Sequence, residues 1–137
     1  MKVAELMKTD VKTIPSDAVL ADAIATMLDA DVSALPVLGP DRRPIGVITH
    51  QNILAASLER EDHGGGFRGP DLIGVTDVMS PWPAWVDPDT SLSDAAKMMS
   101  YLDLKRVFVV DGSAVVGVFS QTDVVDALAT TTYARPA

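Results

Sequence analysis

The apolar positions of the chain follow two rhythms, one helical and one extended, and the same succession occurs twice. Leu20, Ala23, Ile24, Met27 and Leu28 recur at helical spacing, which predicts an amphipathic helix with that stripe facing a core. Two short apolar runs follow, Ala34–Leu38 and residues 45–48, separated by Gly39-Pro40-Asp41-Arg42-Arg43-Pro44. That is the pattern of two strands joined through a turn as a hairpin. Further on, Leu92, Ala95, Ala96 and Met99, with Leu102 beyond them, predict a second amphipathic helix. Residues 107–110 and the run Val116, Val118, Phe119 predict a second hairpin around Asp111-Gly112-Ser113-Ala114-Val115.

The two halves align residue by residue. Asp22-Ala23 matches Asp94-Ala95, Met27 matches Met99 and Met7 matches Met79, all at a spacing of 72 (94 − 22, 99 − 27, 79 − 7). Beyond the turn the spacing is 71: Gly46 with Gly117, Thr49 with Ser120, Asn52 with Asp123 (117 − 46, 120 − 49, 123 − 52). The lost residue falls in the turn, where a length change costs little. A short strand precedes each long helix, at Thr13-Ile14 and Trp85-Val86, and a second helix starts near Asn52 or Asp123. Each unit therefore reads β-α-β-β-α. A unit of this size buries too little surface to stand comfortably alone, so the expected fold is α+β, two such repeats packed sheet to sheet with pseudo-two-fold symmetry. The expected divisions are residues 1–58 for the first repeat, 59–74 for a linker, 75–128 for the second repeat and 129–137 for a tail.

Composition narrows the function. Of 137 residues, 47% are hydrophobic and 22% charged, enough to build a core and unlike a disordered chain. The formal net charge of −8 opposes nonspecific binding to nucleic acid, and aromatic residues at 5% leave few platforms for stacking bases. With no cysteine there is no disulfide framework, which fits a reducing, cytoplasmic setting. The first residues lack the apolar run of a signal peptide. No apolar segment reaches the ~18 residues of a membrane span.

The stretch from Val116 to Val125 carries the most chemistry. An apolar strand with Gly117 inside it ends at Ser120, and a helix begins at once, with Thr122 and Asp123 in or before its first turn. Ser120 and Thr122 are suited to capping that helix, and Asp123 suits its positive end. The same layout offers backbone N–H groups to a phosphate. The first repeat repeats it with Thr49 and Asn52.

Two units each ending in Gly-apolar-apolar-Ser/Thr-x-x-Asp/Asn resemble a tandem pair of cystathionine-β-synthase (CBS) domains, the arrangement called a Bateman module. The resemblance runs from about Val3 to Val125. It implies a regulatory fold that binds adenosine-containing molecules, AMP, ADP, ATP or S-adenosylmethionine, in clefts between the repeats, and modules that pair as dimers. By the same resemblance Asp123 would hold the ribose hydroxyls, Ser120 would face the phosphate and Arg106 would reach the phosphates, with Val107 beside it, Thr122, and Thr49 and Asn52 of the first repeat as further ligand-binding residues. Trp85 would cover the adenine.

The plainer alternatives stay open. Ser120, Thr122 and Asp123 are a sufficient helix cap without any ligand, Lys105-Arg106 is a sufficient solvated strand end, and Trp82 and Trp85 are ordinary packing residues. The first repeat departs from the pattern: Asn52 replaces the carboxylate, and Ser33-Ala34 stand where Lys105-Arg106 stand. The two sites are therefore expected to be unequal, and Phe108, where the first repeat has Pro36, narrows the space for a base.

Gly64-Gly65-Gly66-Phe67-Arg68-Gly69 matches G-x-G-x-x-G in letters only, since an acidic helical tail precedes it and Pro70 follows; a dinucleotide loop needs a strand before and a helix after. His50 and His63 lie far apart without cysteine partners, so no metal site is expected. No nucleophile, base and oxyanion donors assemble, and no catalytic residue is assigned. The expectation is a non-enzyme that needs no cofactor, binds an adenosine nucleotide, forms a homodimer and signals to a partner protein; the alternative is a ligand-free scaffold with degenerate clefts.

Overall fold

A computed structural model describes residues 1–59, 69–82 and 84–133, the last three by their backbone alone. His63 and residues 64–68 of the glycine-rich run lie outside the described residues, as do Pro83 and residues 134–137.

The first repeat comprises β1 (Ile14–Pro15), α1 (Leu20–Ala30), β2 (Ala34–Leu38), β3 (Pro44–Thr49) and α2 (His50–Glu59). The second comprises β4 (Trp85–Val86), α3 (Leu92–Leu102), β5 (Arg106–Asp111), β6 (Ala114–Ser120) and α4 (Gln121–Tyr133). Each repeat forms a three-stranded sheet, in the order β1-β2-β3 and β4-β5-β6. The short first strand pairs parallel with the second, and the hairpin strands pair antiparallel. Both hairpins carry an irregularity at equivalent places, Val37/Leu38 and Val109/Val110, where an extra residue is absorbed and the strand bends.

Two compact units result, Lys12–Trp82 and Met1–Val11 with Pro83–Ala137. In the first, Leu20, Ala23 and Met27 of α1 meet Leu35, Val37 and Ile48 of the sheet. In the second, Leu92, Ala95 and Met99 of α3 meet Val107, Val109 and Phe119. The stripe that the sequence predicts for α1 ends one residue early, since Leu28 is 73% exposed; in the second repeat Leu102, the last residue of α3, is 46% exposed. Both helices close through an aspartate in left-handed backbone, Asp31 (φ 54°) and Asp103 (φ 53°). The residue after each, Val32 or Leu104, donates its N–H back to the carbonyl of Met27 or Met99, which satisfies a terminal carbonyl.

The segments that lead into each repeat pack on a glycine of the opposite repeat's hairpin. Lys8 and Val118 exchange two backbone hydrogen bonds, and a Cβ on Gly117 would collide with the Met7 sulfur. Ser80 and Val47 exchange the matching pair, and a Cβ on Gly46 would lie 2.8 Å from the Met79 sulfur. What comes close to each strand glycine is thus a methionine thioether, a soft group that fits an irregular dimple. Residues 70–75 also bond along the start of α1, through Ala21 N–H to Pro70 O, Leu20 N–H to Ile73 O and Val75 N–H to Ala18 O.

Candidate functional site

The candidate site is built at the end of β6. Antiparallel register sets Arg106 opposite Ser120 and Phe108 opposite Val118, and parallel register sets Trp85 beside Phe108. Residues directly opposite share a face, and alternate residues of one strand do too. Arg106, Ser120, Phe108 and Trp85 therefore occupy one face of the second sheet. Val107 and Phe119 occupy the other, both within the core at 0% and 1% exposure. Val107, expected among the binding residues, has its side chain turned away from the face that carries Arg106 and Ser120.

Ser120 ends the strand and caps the helix. Its hydroxyl oxygen accepts the Asp123 N–H at 3.1 Å, and Asp123 Oδ2 accepts the Ser120 N–H at 2.8 Å. This reciprocal cap explains why α4 starts at Gln121 and not near Asp123: a serine at N-cap needs its acidic partner three residues on, already inside the helix. Gln121 N–H is held by Lys105 O at 3.0 Å, while its side-chain amide donates to Leu104 O at 2.8 Å. Two of the first three helical N–H groups are thereby used within the chain. What the end still offers is the Thr122 N–H, the Ser120 hydroxyl proton and Asp123 Oδ1. Thr122 itself is exposed and takes no part in the cap.

Arg106 is half-buried, and loss of water around its guanidinium lowers its pKa from the ordinary value. Among the described residues no carboxylate pairs with it. A guanidinium that has lost part of its hydration without gaining a carboxylate is well placed for an anion. The Trp85 and Phe108 rings lie 5.8 Å apart at 43°, a tilted aromatic contact, and Phe108 is 2% exposed. Trp85 keeps part of its surface open.

The equivalent end of β3 differs in chemistry. Thr49 sits opposite Ala34, so no cation stands there. Asn52 Oδ1 accepts both the Thr49 N–H at 2.9 Å and the Thr49 hydroxyl at 3.0 Å, and the Asn52 N–H donates to Thr49 Oγ1 at 3.1 Å. The amide oxygen is fully committed, leaving Asn52 only its NH2 donors. Asp123 keeps an ionised acceptor where Asn52 keeps neutral donors.

Among the described residues no group of three or more His, Cys, Asp or Glu side chains could hold a metal ion. No helix among them is long and apolar enough to cross a membrane.

The CBS domain family matches residues 3–59 and 75–130. The chain is 29% identical over 134 residues to an uncharacterized protein of Methanocaldococcus jannaschii, covering 93% of this chain and 32% of that protein. It is 26% identical over 124 residues to Hypoxic response protein 1 of Mycobacterium tuberculosis, covering 88% of this chain and 80% of that one. The chain spans only about a third of the first of these relatives. Among solved structures, a putative acetoin utilization protein (AcuB) from Vibrio cholerae has the same fold, with a TM-score of 0.77 at 21% identity, 99% of this chain and 98% of that one. CBSX2, solved in complex with AMP, gives a TM-score of 0.75 at 24% identity, with 96% and 98% covered. Two matched segments coincide with the two β-α-β-β-α repeats, and the chain belongs to the CBS domain family, of which it carries a tandem pair.

Proposed function

We propose that this chain is a regulatory module that binds an adenosine-containing nucleotide of the AMP, ADP or ATP type at the second repeat and passes its occupancy to a partner protein in the cytoplasm. The observation that carries the reading is the half-buried Arg106 guanidinium, without a carboxylate partner among the described residues, opposite Ser120 at the helix start that holds Asp123. Asp123 Oδ1 takes a ribose hydroxyl, Ser120 and the Thr122 N–H join Arg106 on phosphate, and Trp85 supplies an open aromatic surface to the base. CBSX2 with AMP lends the reading support as a protein of the same fold. The module does no chemistry; a ligand that favours one arrangement of the protein over another is enough to signal.

The locked Asn52 favours a second statement, that the first repeat's site is weak or idle for nucleotides. If both repeats behaved so, the chain would be a ligand-free scaffold. Calorimetric titration with AMP, ADP, ATP, S-adenosylmethionine and adenosine separates the readings: the proposal expects a phosphate-bearing ligand to bind, and silence across the panel supports the scaffold. The module is further proposed to act as a homodimer, since Leu28, Leu54 and Leu58 on one helix pair and Tyr101, Val125 and Leu128 on the other are exposed and would be covered by a second copy. Light scattering is expected to return twice the chain mass, and a monomer mass would reject it.

A further inference from the structure

The two repeats treat one equivalent carboxylate differently. Asp89 in the second repeat accepts the Lys2 ammonium at 3.1 Å. Its counterpart in the first repeat, 72 residues earlier (89 − 72), is Asp17. The residue equivalent to Lys2 there (2 + 72) is Gly74, and the backbone agrees: Lys2 bridges Ser91 as Gly74 bridges Val19. Gly74 has no side chain to send, and among the described residues no cation pairs with Asp17.

Asp17 instead lines a cavity of about 430 Å³ with Thr13, Ser16, Leu38, Pro40 and Arg42. The cavity sits beside the turn that is one residue longer than its counterpart in the second repeat. Within this turn Arg43 is held by Asp41 at 3.5 Å, whereas Arg42 has no carboxylate partner among the described residues. A lone carboxylate and a lone guanidinium thus share one cavity without pairing to each other, alongside the hydroxyls of Ser16 and Thr13 and the apolar Leu38 and Pro40.

We infer that this cavity is a binding site for a small zwitterion, a free α-amino acid, whose ammonium takes on Asp17 the role that Lys2 plays on Asp89 and whose carboxylate meets Arg42. The inference stands apart from the nucleotide reading and concerns only the first repeat. Both charged groups are exposed, so screening keeps affinity on the order of millimolar.

An amide NMR titration of the full chain with the proteinogenic amino acids tests it. At least one should move the resonances of Ser16, Asp17 and Arg42, while its methyl ester and its N-acetyl derivative, each lacking one charge, bind roughly two- to ten-fold more weakly. Asp17→Asn and Arg42→Gly should each weaken binding by a similar factor. Arg42 has φ 67°, which glycine adopts freely, so that variant keeps its turn. Gly74→Lys is the sharpest arm. A Cβ at Gly74 meets nothing closer than 3.6 Å, and the new ammonium should occupy Asp17 and weaken amino-acid binding at least as far as Asp17→Asn does. The inference is overturned if no amino acid moves these resonances, if the single-charge derivatives bind equally well, or if Gly74→Lys leaves binding intact in a chain whose other resonances are unchanged.

Discussion

The two helix starts, Thr49–Asn52 and Ser120–Asp123, have the same backbone and opposite chemistry. Each cap closes with a hydroxyl oxygen accepting the N–H three residues on, and a side-chain oxygen returning the favour. Capping therefore accounts for why an oxygen-bearing residue stands at position 52 or 123, but not for which one. Asparagine spends its oxygen twice on Thr49, whereas aspartate spends one oxygen and keeps the other. The cation differs in the same direction, Arg106 against Ala34. A helix terminus that needed only a cap would do as well with Asn52 and Ala34; the extra charges in the second repeat call for something other than folding.

The largest expected effect breaks the shared frame. Gly117→Val would drive a side chain into the Met7 sulfur and detach the leading segment or strain the strand, at a cost of about 1–3 kcal/mol. Chemical denaturation should show a lower midpoint, and Met7→Ala in the same chain should recover part of it by making room. Next comes the cation. Arg106→Ala should weaken binding of phosphate-bearing nucleotides by about ten-fold and leave adenosine nearly unchanged, which calorimetry would show as a narrowed gap between the two. Equal losses for both would mean that Arg106 holds the sheet and not the phosphate.

Smaller effects probe how the repeats differ as folding units. Ser91 caps α3 by accepting the Asp94 N–H at 3.0 Å, whereas Val19 before α1 has no side-chain oxygen to do so. Ser91→Ala should cost ~1 kcal/mol, measured by denaturant titration, and bring the second repeat down to the first repeat's level of capping. Smallest of all, Asp103→Gly should raise stability by roughly 0.5 kcal/mol, because the left-handed backbone at φ 53° strains aspartate and an acidic group at a helix C-terminus is unfavourable. Asp31→Gly should behave alike, and a melting curve that falls in both variants would contradict this account of the helix ends.

Much of this frame is legible in the sequence, for physical reasons. Helical and extended periodicity at Leu20–Met27 and Ala34–Leu38 is a local signal, and its recurrence at a fixed spacing makes the α+β tandem repeat readable from residues alone. Ser120 and Asp123 are readable as a pair because a reciprocal cap has a fixed three-residue spacing. The start of α4 was less so: the cap residue and its partner both carry oxygens, and only the hydrogen bonds show which of them stands outside the helix. The docking of Met7 on Gly117 leaves no local trace, since a glycine in a strand signals close approach without naming the visitor. Leu28 and Leu102 read as core because they continue an apolar stripe, yet Leu28 stands about 100° round the helix from the buried Met27, and Leu102 is the last residue of α3. The side Val107 faces follows from strand register, which a four-residue apolar run does not define.

The central claim is that the second repeat's helix start differs from the first by an acceptor used for ligand and not for folding. The direct measurement is a calorimetric titration of AMP into wild-type chain and into Asp123→Asn, with the thermal midpoint of each recorded alongside. Asparagine closes the same cap in the first repeat, so the variant should keep its stability within about 0.5 kcal/mol and lose AMP affinity by about ten-fold or more. Unchanged AMP affinity in a stable Asp123→Asn chain, or a loss of stability that matches the loss of binding, would contradict the account.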